Sequence, residues 1–253
     1  MKGSAIKIWA LVLAIALPAL FIILFKPLGE VPRPKPPQKL YPTGEIVEHI
    51  DASGNKYVDS IYHTIPNKVL ISQDGKEFVL DSLAGTVYVA DFFFTSCPGI
   101  CPVMTNQLAR VQKAFIKDHN FKVISFSVDP ARDSIAALRE YAKNHNAIPG
   151  KWFFLRAEKS DIFSLAKDGF FLIAKDSPNK EEAFIHSEKL TLVDADGNIR
   201  GYYDGTDSAS VNKMMGDIVL VLRDYEKNYS FRKDKNGEGY IRKGIRKTKS
   251  AFN

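Results

Sequence analysis

Cysteine is almost missing from these 253 residues: there are two, Cys97 and Cys101. Two are too few for a disulfide framework or for a four-cysteine zinc site. A chain of this length can bury a core that needs no cross-link, so the pair points to a special role. Charge is missing from one long run, Ile8 to Phe25, which reads IWALVLAIALPALFIILF. No internal repeat is present. Outside one end of the chain there is also no excess of positive charge. The formal net charge is +6, yet nine basic residues from Lys227 onward face only Asp234 and Glu238, giving the tail alone about +7. The remainder is near neutral, which speaks against a nucleic-acid-binding domain.

In helical form the uncharged run covers about 27 Å, close to the thickness of a bilayer's hydrocarbon core. Lys2 and Lys7 precede it, no convincing small-x-small cleavage site occurs before Lys26, and no cysteine follows it directly to carry a lipid. Pro18 is compatible with a membrane helix. Residues 1–26 are therefore expected to be an uncleaved, single-pass membrane anchor. Basic residues flank both sides (Lys26, Arg33, Lys35 and Lys39 on the far one), so charge alone leaves the orientation open. Residues 27–61 form a lead-in whose prolines 27, 32, 34, 36, 37 and 42 favour an extended, semi-rigid spacer.

A folded domain is expected over residues 62–228. VLISQDGKEFVL has the pattern of two short strands about an Asp-Gly turn. TVYVADFFF, FKVISFSV and KWFFLR are apolar and β-rich, as strands buried on both faces are. Between them lie helical patterns, one from about Pro102 to Asp118 and one over DSIAALREYAKNH with Asp133 or Ser134 as N-cap. KSDIFSLAKDG predicts a short helix ended by Gly169, KLTLVDADGNIRGYYDG a hairpin turning at Asp196-Gly197, and SASVNKMMGDIVLVLRDYEK a closing helix. This order predicts an α/β domain with a central mixed sheet flanked by helices. Residues 229–253 are a basic tail, to which no function is assigned.

The cysteines follow the carboxyl end of TVYVADFFF, where sites form in such sheets. Pro102 predicts a helix start, with Cys101 as its cap and the helix dipole lowering the Cys101 pKa. Four-residue spacing is compatible with a disulfide, with a reversible redox pair, or with two thiolates of a soft-metal site. A metal would need a further ligand. His49 and His63 precede the core, and His119 and His145 fall near helix ends. His186 lies on a loop before the hairpin strand that should return toward the cysteines.

At this point a resemblance can be named. FFFTSCPGICPVMTNQLARVQKAF resembles the TxCPxxCPxM region of the Sco/SenC copper chaperones, and SFSVDPARDSIAALREYA resembles that family's SVDPxRDTPxxLxxYA segment. WFFL and HSEKLTLVDADGNIRGYYDGT are similar to its later motifs, and the likeness runs from about Leu70 to Asp224. The resemblance implies a thioredoxin-like fold tethered by one N-terminal transmembrane helix in the cell inner membrane, with the domain facing the periplasm. It implies copper, Cu(I) or Cu(II), held by Cys97, Cys101 and His186. It implies delivery of that copper to the dinuclear centre on the copper-bearing subunit of cytochrome c oxidase. The alternative it carries is a thiol-disulfide oxidoreductase in which Cys97 and Cys101 are the redox-active pair and reduce the cysteines of the apo subunit, re-reduced by a thiol reductant. Metallochaperone rather than turnover enzyme is the expectation. No proline follows Pro178, so His186 occupies the neighbourhood where thioredoxins place a cis-proline. Ile185 departs from the acidic residue that many members carry before the histidine.

Overall fold

The computed structural model describes residues 2–25, 34–50, 56–172, 188–230 and 241–242. It divides into two compact units, Met1–Lys35 and Pro36–Asn253. The first is the helix α1 (Lys2–Phe25), with Pro18 inside it. Its described side chains, among them Trp9, Leu13, Ile15 and Phe21, are exposed. Over the described residues no helix is long and apolar enough to cross a membrane; the continuous described side chains of α1 are those of Leu11 to Phe21.

The second unit begins with an antiparallel hairpin, β1 (Pro42–Ile50) and β2 (Lys56–Tyr62). Its main body is a sheet built from β3 (Val69–Ser72), β4 (Glu77–Val79), β5 (Val87–Phe93), β6 (Phe121–Ser127), β7 (Trp152–Arg156), β8 (Lys189–Val193) and β9 (Ile199–Asp204), in the order β4-β3-β7-β6-β5-β8-β9. β5, β6 and β7 run parallel, and the flanking strands are antiparallel. The expected mixed sheet is thus present. Helices α2 (Ile100–Ala114), α3 (Ile135–Asn144), α4 (Lys159–Ser164) and α5 (Ser208–Asn228) complete the domain, with a π-helical turn at Leu165–Gly169.

An interior strand, β5, shows why the sheet needs helices on both faces. All seven residues of β5 are buried. Alternation along the strand sends Val87, Val89 and Phe93 to one face, into a core with Met104 and Leu108 of α2, Leu138 of α3 and Met214 and Ile218 of α5. Tyr88, Ala90 and Phe92 go to the other, with Ile162, Leu165 and Phe170. Asp91 shares the α2 face by the same alternation.

Two details differ from expectation. β1 and β2 lie within residues where only a spacer and lead-in are expected. They are short of apolar periodicity, and Ile46, Val47 and Val58 are exposed. The start of α2 is also two residues earlier than Pro102. Gly99 is the N-cap, which makes Pro102 the third helical residue. The first turn has no intrahelical use for its N–H groups, so proline fits there as well as at the first position.

Candidate metal and thiol site

Beyond β5 the chain leaves the sheet through Phe94, Thr95 and Ser96 before it reaches Cys97. The loop is held from below by Asp133, which is fully buried. Its carboxylate accepts from the Thr95 N–H at 3.2 and 3.3 Å, from Thr95 Oγ1 at 2.6 Å and from Ser127 Oγ at 2.5 Å. A buried carboxylate is tolerated only with such a set of donors. Ser134 is the N-cap of α3, accepting from the Ala137 N–H at 3.2 Å. Asp133 therefore ties the cysteine loop to the end of β6.

Cys97 stands in the loop and Cys101 in the first turn of α2, not at its cap. Both are free thiols. Cys101 is 3 % exposed, whereas Cys97 is half-buried. A hydrogen bond joins the two side chains. Partial burial works against a thiolate at Cys97. Hydrogen bonds from the Cys101 thiol and from the backbone N–H groups of Cys101, Gly99 and Ile100 outweigh it, and the Cys97 pKa lies below its ordinary value. Burial pushes the Cys101 thiol up to about 12; the bond to Cys97 and the negative charges of Cys97 and Asp91 add to the rise, against a backbone hydrogen bond at Phe94. The helix-start effect expected at Cys101 thus falls on Cys97, because the N–H groups of the first turn point back at the loop.

Beneath the pair lies Asp91, 1 % exposed. Burial raises its pKa to about 7, opposed by the Ser125 hydroxyl, which donates at 2.5 Å, and by a backbone hydrogen bond. Trp152 Nε1 donates in turn to Ser125 Oγ at 2.9 Å. On the other side Thr105 Oγ1 donates to the Cys101 carbonyl at 2.8 Å and lies 2.8 Å from the Tyr141 hydroxyl. Asp91 is the one acid within TVYVADFFF, and a charge inside an apolar strand is the signal that could have marked it.

Of the histidines, His63 is engaged by the Gly169 carbonyl at 2.9 Å and packs on Phe171. His145 packs on Tyr141, and burial lowers its pKa. His186 lies outside the described residues, as does the side chain of His49. Among the described residues no three of His, Cys, Asp and Glu form a metal-holding group. The pair itself fits a soft metal by its donors, two sulfurs within hydrogen-bond reach of each other at a helix start.

The SCO1/SenC family model matches residues 63–222, more than half of the chain. The chain belongs to the SCO1/SenC family. It is 33% identical over 167 residues to the SCO1 protein homolog of Bacillus subtilis, covering 65% of this chain and 86% of that one. Among solved structures it is similar to a SCO1/SenC family lipoprotein of Bacillus anthracis, with TM-score 0.56 at 28% identity over 63% of this chain and 95% of that one. It is likewise similar to BsSco, with TM-score 0.54 at 33% identity over 63% and 93%. BsSco is described as a member of the Sco family of cytochrome c oxidase assembly proteins that carries a disulfide switch. The copper-bound ScoI of Bradyrhizobium japonicum shares the fold, with TM-score 0.51 at 24% identity over 62% and 99%. The mixed sheet described above is the thioredoxin-like fold of these Sco neighbours.

Proposed function

We propose that this Sco protein is a membrane-tethered copper chaperone that delivers copper to the dinuclear copper centre of cytochrome c oxidase. Copper is its cargo. Cys97 and Cys101 hold the ion as thiolates, and His186 supplies a neutral imidazole as third ligand. The observation that carries this is the cysteine pair itself: two soft donors within hydrogen-bond reach, one on the loop clamped by Asp133 and one in the first turn of α2, in a chain of this family. The tether is the uncharged run of α1 taken over its full sequence, Ile8 to Phe25, and the domain stands on the periplasmic side of the inner membrane. A site of two sulfurs and one nitrogen binds copper firmly yet leaves it transferable. Copper titration of the reduced protein, wild type against His186→Ala, followed by absorption and EPR, tests the assignment. The variant is expected to bind more weakly and with an altered spectrum. One copper held with unchanged affinity and spectrum would remove His186 from the site.

A second function has its own supporting observation. One sulfur is half exposed and the other is buried behind it, within hydrogen-bond reach. That is the arrangement of an attacking and a resolving thiol, suited to reducing a disulfide in the apo oxidase subunit. It needs both cysteines but not His186. Full rescue of oxidase assembly by His186→Ala would favour it over copper delivery.

A further inference from the structure

A groove of about 510 Å³ opens beside the cysteine loop at the carboxyl end of the sheet. Phe94 and Val128 form its apolar floor. Phe94 is also the residue whose carbonyl accepts the Cys97 N–H at 3.2 Å, and the Val128 N–H donates to the Phe93 carbonyl at 2.9 Å. Groove and thiol therefore share one rim, three residues of chain apart. Its size is that of an ordinary ligand pocket.

The charges on the walls are not all spent. Asp129 and Arg132 pair with each other at 2.5 Å. Arg156 donates through Nη2 to the Pro130 carbonyl at 2.8 Å, and among the described residues no carboxylate pairs with it. A guanidinium has five N–H donors in a planar fork that matches a carboxylate. Glu158 and Lys159 also line the groove. The lining residues Arg132, Arg156 and Lys159 against Asp129 and Glu158 sum to three minus two, a formal +1.

We propose that this groove is the docking site for the polypeptide with which Cys97 exchanges. An apolar residue of the partner covers Phe94 and Val128, and a neighbouring Asp or Glu side chain pairs with Arg156. The seated segment brings the partner's cysteines to Cys97. This rests on the proposed exchange at Cys97, whether the exchange is of copper or of thiols. For thiols the step balances within the two molecules. The Cys97 thiolate attacks one sulfur of the partner's disulfide, and the other leaves as thiolate. Cys101 then attacks Cys97, the mixed disulfide breaks and the partner's second sulfur leaves as thiolate. The partner gains the two electrons that the pair loses, one proton coming from Cys101 and the other from solvent, to which the ionised Cys97 had given its own.

Two synthetic peptides, identical except for Phe-Glu against Phe-Gln and with serine in place of every cysteine, would be titrated calorimetrically into the reduced full-length protein in detergent. The Glu peptide is expected to bind about fivefold more tightly at low salt, the worth of one partly desolvated ion pair. Arg156→Gln should abolish the difference while leaving the Gln peptide unaffected. Arg156→Glu should reverse the preference toward a Phe-Lys peptide, which also guards against a variant that has lost its fold. Equal binding of the Glu and Gln peptides by wild type, or a preference retained in Arg156→Gln, would overturn the docking site. The same peptides with a disulfide in place of the serines separate this outcome from failure of the exchange. If the Glu preference holds in binding but neither disulfide is reduced, the groove stands and the thiol reaction falls.

Discussion

A carboxylate buried beneath two thiols has a measurable cost, and at Asp91 its sign can be worked out. Its folded pKa, about 7, lies above the 3.8 of an ordinary aspartate. The folded state therefore retains the proton over the interval in which the unfolded chain loses it. Since stability rises with pH only where the unfolded state binds more protons, Asp91 lowers stability as pH climbs from about 4 to 7, with no further change above. About three units at 1.36 kcal/mol each set a ceiling of roughly 4 kcal/mol on that loss. Asn at this position can still accept from Ser125 and has no charge to desolvate. Urea unfolding of reduced Asp91→Asn and wild type, from pH 4.5 to 8, should give two curves that converge at low pH. The variant should be the more stable by a few kcal/mol at pH 8. Parallel curves would show that Asp91 does not carry the pH dependence.

Between elements, the tightest joint near the site is Gly205, which follows β9. Its N–H donates to the Glu188 carbonyl at 2.8 Å, at the start of β8. A Cβ placed there would stand 2.9 Å from Leu190 Cγ, 3.0 Å from Met104 Cγ and 3.2 Å from the Glu188 oxygen. α2, β8 and the β9–α5 connection thus meet at Gly205 with no room for one more carbon. Gly205→Ala should cost about 1–3 kcal/mol by overpacking. Met104→Ala removes one of the obstructing atoms, so the double variant should be at least about 1 kcal/mol more stable than the sum of the singles predicts. Additivity in a denaturant double-mutant cycle would mean that α2 does not feel the added carbon. No sequence pattern announces this glycine, because its constraint comes from three elements distant in the chain. The strands β5, β6 and β7 are legible for the opposite reason: burial on both faces writes a mostly apolar, β-rich run into each. Ser134 as a cap and the Asp-Gly turn at Gly75, with φ +76°, are equally local signals. The cysteine pair was legible as a pair, but its division into an exposed and a buried thiol depends on where Gly99 starts α2. The role of Asp133 was hidden because a carboxylate just before a helix looks like a cap until Thr95 and Ser127 are brought to it by the sheet.

For the whole molecule, the start of the folded domain is set by contacts that composition does not reveal. The proline-rich lead-in suggests a spacer up to residue 61, but its last part is bound to the domain. The Pro37 carbonyl accepts from Arg200 Nε at 2.7 Å, Leu40 N–H donates to the Ile199 carbonyl at 2.9 Å, and Lys39 reaches Asp196 at 3.3 Å. Arg200 also holds Asp194 at 2.9 Å, and both are 7 % exposed. Removing Pro37 leaves one donor of a buried guanidinium without its acceptor, at about 1.5–3 kcal/mol, and losing the Leu40 bond adds about 1. The Tyr41 ring, 4.4 Å from that of Phe171, is lost as well. Two truncations separate these contacts from the first unit, Met1–Lys35. A chain starting at Pro36 removes one compact unit and should melt where the full-length domain does, with the same copper stoichiometry. A chain starting at Tyr62 should melt roughly 5–15 °C lower, from about 2–4 kcal/mol at 2–4 °C per kcal/mol. Calorimetry of the two side by side decides the matter: equal melting temperatures would return residues 36–61 to the status of a spacer, and a gap of that size makes them part of the fold that carries the cysteines.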